Sequence, residues 1–173
     1  MFSLKETCIN RKTKHYLKSN NAVRNSMNIA SAKRISILYT LAGEAKEMEI
    51  RRFSEQLQQA GKTVEVICCI PEKTLVPAQP WGHFSAEDFN FSGTLKSEML
   101  ERFLEEDFDM LLHFDLEHDS LTDYVNARSN AKMRIGRFFE GKEAFYELMF
   151  MLQDHEQPKQ MTAIFYRYLQ AIH

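Results

Sequence analysis

Apolar residues recur along this chain in two alternating styles, short unbroken runs and stretches spaced three or four apart, and the alternation predicts layered strands and helices. The run RISILYTLAG, from Arg34, places Ile35, Ile37, Leu38, Tyr39 and Leu41 almost without interruption. A strand buried on both faces reads this way. The next stretch, EAKEMEIRRFSEQLQQAG, spaces Ala45, Met48, Ile50, Phe53, Leu57 and Ala60 at helical intervals, carries acids in its first turn and closes on Gly61, all helix signals. A second strand, TVEVICCI from Thr63 to Ile70, stops at Pro71. Strand, helix, strand is the right-handed crossover unit and predicts parallel pairing.

Residues 71–96 hold three of the four prolines and no periodicity, so a long irregular connection is expected, with one short strand near HFSAEDF. KSEMLERFLEEDF then predicts a helix through Met99, Leu100, Phe103 and Leu104. Met110 to Phe114 reads as a buried strand, Ser120 to Asn130 as a short helix with Leu121, Tyr124 and Val125 inward, and Lys132 to Phe138 as a strand. AFYELMFMLQ fits either a helix or a strand; the continuous apolar run from Leu148 to Leu152 and the Asp-His-Glu-Gln-Pro turn after it favour a strand. From Pro158 the tail spaces Met161, Ile164, Phe165, Tyr168, Leu169 and Ile172 on one face, the pattern of a docked helix.

Composition narrows the fold. With 173 residues and 44% hydrophobic content the chain supports one domain with a real core. Six glycines and four prolines are too few for a turn-dense sandwich. The expected architecture is a three-layer, Rossmann-like α/β domain over residues 34–173, with a mainly parallel sheet of five or six strands. Residues 1–33 are expected to form a basic N-terminal arm, partly helical and partly a tether.

Charge sets that arm apart. Residues 1–34 carry eight bases against one acid, a net +7, whereas the rest carries 14 bases against 23 acids, a net −9. A weak contact with nucleic acid or an anionic surface through Arg11, Lys12, Lys14 and Lys18 is one reading of this split; a solvated lead-in, or a segment lying on the acidic body, is the other. A protein partner is a further expectation. Three cysteines, Cys8, Cys68 and Cys69, make a poor disulfide framework, which suggests a reducing compartment. No signal-peptide core and no 18-residue apolar span is present in this sequence, and the protein is expected to be cytoplasmic.

RISILYTLAG, FDMLLHFDLE, YVNARSNAKMRIGRF and the terminal YLQAI, in this order of elements, resemble a bacterial domain-of-unknown-function family, number 6913, known mainly from Bacteroidetes. The resemblance spans nearly the whole chain. It implies a fold and no reaction. More locally, FDMLLHFD and ARSNAKMRIG resemble the acceptor-side Rossmann-like domain of heptosyltransferase-type glycosyltransferases, whose second, nucleotide-sugar-binding domain this chain is too short to include.

Most familiar chemistries lack their parts. A dinucleotide site needs glycines after the first strand, but the turn here is TLAGEAKE, with one glycine and nearby acids. There is no P-loop and no G-x-S-x-G elbow. The acidic pair that a phosphoacceptor Asp115 would need after the first strand is replaced by Thr40-Leu41. His113, Asp115 and Glu117 alternate on one strand face, but nothing supplies further ligands, so neither a metal nor a cofactor is expected. Arg134 and Arg137 could hold a phosphate bidentately, or pair with Glu140, Glu143 or Asp115.

Ligands of parallel sheets bind outside the carboxyl ends of the strands, where strand order reverses. The candidate small-anion pocket is therefore Thr40, Gly43, His113, Asp115 and Arg137. The functional expectation is a noncatalytic binding or interaction module; the alternative is a small enzyme acting on a nucleotide or sugar, a glycosyltransferase-like half domain.

Overall fold

Six parallel strands line up in the order β3-β2-β1-β4-β5-β6. They are β1 (Arg34–Thr40), β2 (Thr63–Cys69), β3 (Gly82–Phe84), β4 (Met110–His113), β5 (Met133–Arg137) and β6 (Leu148–Phe150). The structure is a computed structural model that describes residues 4–71, 80–151 and 162–167. Helices α1 (Leu4–Ser19), α2 (Glu44–Gln59), α3 (Glu98–Glu105) and α4 (Ser120–Arg128) complete the three-layer Rossmann-like fold.

Strand β1 lies at the centre, paired with β2 from Arg34↔Thr63 to Thr40↔Cys69 and with β4 from Ile35↔Met110 to Leu38↔His113. Its interior positions are buried throughout, which is why its sequence shows no polar alternation. Ile35, Ile37 and Tyr39 join Ile50, Phe53 and Leu57 of α2 in one core, together with Phe114 and Phe165. Leu38 turns the other way, into a second core with Leu100, Phe103, Leu111, Tyr124 and Val125.

Local signals explain the helix ends. Gly61, at φ +80°, ends α2 in a left-handed turn: its N–H donates to Gln58 O, and Lys62 N–H donates to Leu57 O. These are the two bonds of a Schellman cap. Ser97 caps α3 through its hydroxyl, and the Asp119 carboxylate accepts from Leu121 N and Thr122 N at the start of α4.

Helix α4 departs from the usual amphipathic pattern, because residues Thr122 to Ala127 are all buried. The reason is α1, which lies across its outer side and buries Ile9 and Thr13 there, with Tyr16 meeting the Tyr124 ring edge-on at 5.4 Å. The segment after α1 is also tied down. Asn20 Nδ2 donates to Ala127 O and Ser129 O, and the Arg24 guanidinium donates to Ser129 O and Ala131 O. These bonds occupy carbonyls at and just beyond the end of α4, which lack intrahelical donors.

The expected strand near HFSAEDF is β3, pairing with β2, and the run before Leu152 forms β6, pairing with β5 after a 3₁₀ turn at Glu143–Phe145. Of the tail, residues 162–167 are helical and Phe165 is fully buried. The expected positions Pro158, Met161, Tyr168, Leu169 and Ile172, the turn after Leu152 and residues 72–79 of the long connection lie outside the described residues.

Candidate functional site

Strand order reverses between β1 and β4, so the crevice of this sheet opens at the carboxyl ends of those two strands. Thr40 ends β1, His113 ends β4, and Asp115 follows two residues later. They are in direct contact. Asp115 Oδ1 accepts from Thr40 N at 2.8 Å and from Lys46 Nζ at 2.6 Å; Oδ2 accepts from Thr40 Oγ1 at 2.6 Å and pairs with His113 Nε2 at 2.9 Å. One carboxylate thereby joins β1, β4 and the first turn of α2.

A second tier continues behind His113. Its Nδ1 lies 2.7 Å from the Tyr146 hydroxyl and 3.1 Å from Asn126 Nδ2, and Asn126 Nδ2 donates to the Tyr146 hydroxyl oxygen at 3.2 Å. The two ring nitrogens of His113 thus face different partners, Nε2 the Asp115 carboxylate and Nδ1 the Tyr146 hydroxyl and the Asn126 amide. Gly136 makes room for this tyrosine: a Cβ built there would stand 2.5 Å from the Tyr146 ring. The RIG of β5 therefore has a structural meaning, with Ile135 in the core and Gly136 under the ring.

Only 3% of Asp115, 8% of Lys46 and 1% of His113 reach solvent. Burial on its own would raise the Asp115 pKa; His113 and then Lys46 outweigh it and hold the carboxyl well below the usual carboxylate range. Burial also pushes the Tyr146 hydroxyl up, reinforced by the charges of Asp123 and Asp115. The Cys68 thiol is pushed up to about 11, again chiefly by burial.

The other two candidate residues serve the same edge differently. Gly43 precedes α2 at φ +99°, a conformation that suits glycine, with open space where a side chain would be. Arg137 donates from Nη1 to Leu116 O at 2.6 Å and lies over the Phe139 ring, holding the loop after β4. Arg134 pairs with Glu147, at 3.1 Å from Nε and 2.7 Å from Nη2, rather than with Glu140, Glu143 or Asp115. Of the basic residues 1–34 singled out by charge, Lys12 donates to Thr94 Oγ1 at 2.8 Å, while Arg11, Lys14 and Lys18 are exposed on α1. Among the described residues no group of three or more His, Cys, Asp or Glu side chains converges as a metal site.

Lys46, Asn126 and Tyr146 were not singled out by sequence. A lysine in the first turns of an amphipathic helix reads as solvated, and only the distant pairing with Asp115 shows otherwise. The glycine in RIG is the one trace of Tyr146 in the pattern.

Residues 5–172 match the model of a family described as "Family of unknown function (DUF6913)". The chain belongs to DUF6913. No curated protein and no solved structure matches it. No match therefore supports the local likeness of residues 108–136 to glycosyltransferases. Among the described residues of this DUF6913 protein, no helix is long and apolar enough to cross a membrane.

Proposed function

We propose that this protein is a noncatalytic interaction module of a reducing, cytoplasmic compartment. The observation that carries the proposal is the saturation of Asp115. In the crevice where parallel sheets hold ligands, four donors of the chain itself converge on a carboxylate that is almost wholly buried. A catalytic base needs a lone pair that substrate can reach, and an anion site needs spare donors. Here Lys46, His113 and Thr40 are already bonded to an internal anion. A nucleotide- or sugar-processing enzyme would have to break a buried ion pair before binding its substrate.

The compartment is supported by the cysteines, which are free. Cys68 and Cys69 are neighbours on β2 but face opposite cores, so they pack as small apolar side chains and do not join each other.

A thermal-shift panel of nucleoside triphosphates, sugar phosphates, inorganic phosphate and divalent ions tests this reading. A ligand present at 100 times its Kd would add about 2.7 kcal/mol, or roughly 5–10 °C for a domain of this size. The expectation is no such shift. One that is lost in Thr40→Ala would overturn the module reading and restore a ligand pocket at the crevice.

A further inference from the structure

We infer that the outer face of α1, together with Phe91, binds single-stranded nucleic acid; this names the partner of the proposed module and rests on that reading. Helix α1 docks on α4 by one side, and Leu4, Thr7, Arg11, Lys14 and Lys18 recur on its exposed side at spacings of three and four. Arg11, Lys14 and Lys18 make no ion pair among the described residues. They span about 10 Å along the helix axis, the length of three phosphate-to-phosphate steps of a stacked strand at about 3.4 Å each. Glu6, the only acid in the helix, is engaged by the Ser120 hydroxyl at 2.9 Å.

An exposed aromatic ring is carried by a turn packed against the flank of the same helix, at Cys8, Ile9 and Lys12. The turn at residues 90–94 packs onto α1 so closely that a Cβ on Gly93 would lie 2.8 Å from Ile9 N, and Lys12 Nζ ties Thr94 to the helix. Asn90 braces the turn, accepting at Oδ1 from Thr94 N at 2.9 Å and from Ser92 Oγ at 2.7 Å, while its N–H donates to Thr94 O. At the tip of this braced turn Phe91 is 88% exposed. A solvent-facing ring on a braced turn, docked on a helix whose exposed side is cationic, supplies the two elements that hold single strands, cations for phosphates and a ring for a base.

An anionic bilayer is the other partner for a basic helix, and two features disfavour it. The apolar side of α1 is committed to α4, so the helix cannot lay it into lipid. Phe91 is flanked by Asn90, Ser92 and Gly93, which suits a ring that stacks more than a wedge that inserts.

Fluorescence anisotropy of the full chain with a labelled oligouridine about a dozen nucleotides long tests the inference. Three phosphate contacts on a single strand give a slope of about −2 in log K against log salt, hence roughly 20-fold weaker binding at 200 mM than at 50 mM salt. Replacing Arg11, Lys14 and Lys18 together by Gln should abolish that slope. Phe91→Ala should weaken binding about 5- to 150-fold and leave the slope intact. No binding at 50 mM salt overturns the inference, as does equal binding by either variant. So does binding only to phosphatidylserine vesicles run in parallel. Failure of oligouridine leaves the module reading standing, because that reading falls only to a ligand seated at the crevice.

Discussion

Truncating Asp115 should unmask how much of the fold this one carboxylate holds. Asp115→Ala removes the acceptor of Thr40 N, Thr40 Oγ1, Lys46 Nζ and His113 Nε2 at once, and leaves an ammonium whose side chain is only 10% exposed without its counter-ion. Breaking a buried pair from one side costs about 3–5 kcal/mol, chiefly because the remaining charge stays desolvated. For a chain of this size that is a drop in Tm of roughly 6–20 °C. Urea titrations of both proteins followed by circular dichroism measure it, with an unchanged m-value as the sign that the denatured state is comparable. The pH dependence follows from the direction of the shift. A carboxyl whose folded pKa lies below its unfolded value stabilises fully above the unfolded value, near 3.9. It loses that contribution as pH falls toward the folded one. The gap between wild type and Asp115→Ala should therefore stay constant from neutral pH to about 5 and narrow only below about 4. A gap under about 1 kcal/mol, the net worth of an ordinary hydrogen bond, would refute the reasoning. So would a gap that widens on acidification.

Three other substitutions or probes test separate parts of the structure. Gly136→Ala places a methyl 2.5 Å from the Tyr146 ring and should cost about 1–3 kcal/mol as an overpacked site. Adding Tyr146→Ala should then cost less than the sum of the two single changes, a coupling measurable by a double-mutant cycle. Gly93→Ala meets backbone of α1 at 2.8 Å and also disfavours φ +71°, so hydrogen exchange should show α1 amides opening faster while β1 amides keep their protection. In native protein a thiol reagent should label Cys8, which is half-buried, well before Cys68 and Cys69, which are buried with raised pKa values; equal labelling of all three would contradict the packing.

The sheet was legible because the middle of it is buried on both faces, and burial writes itself as apolar runs: ILY of β1, VICC of β2 and MLL of β4 are such runs. Strand order was not legible, since nothing in β1 states that β4 rather than β3 is its second neighbour. The crevice could be located because Thr40, His113 and Asp115 sit at strand ends. Its chemistry could not, because Lys46 looks like any solvated helix lysine until the partner 69 residues away is in place. Helix α4 carries a weak stripe for the opposite reason to a loop: both of its sides are covered, so no polar face is left to mark. Phe91 sat among prolines and phenylalanines of an aperiodic segment. Only the contact of Gly93 with α1 brings it to the basic helix.

The docking of α1 on α4 has a consequence for synthesis. Helix α1 leaves the ribosome before its platform α4, which lies about 110 residues downstream, a delay of roughly 5–20 seconds at ordinary elongation rates. Throughout that interval Ile9 and Tyr16 have no α4 to cover them. Helix α1 is thus made well before it can find its place, and nascent chains stalled before residue 120 should display it to chaperones.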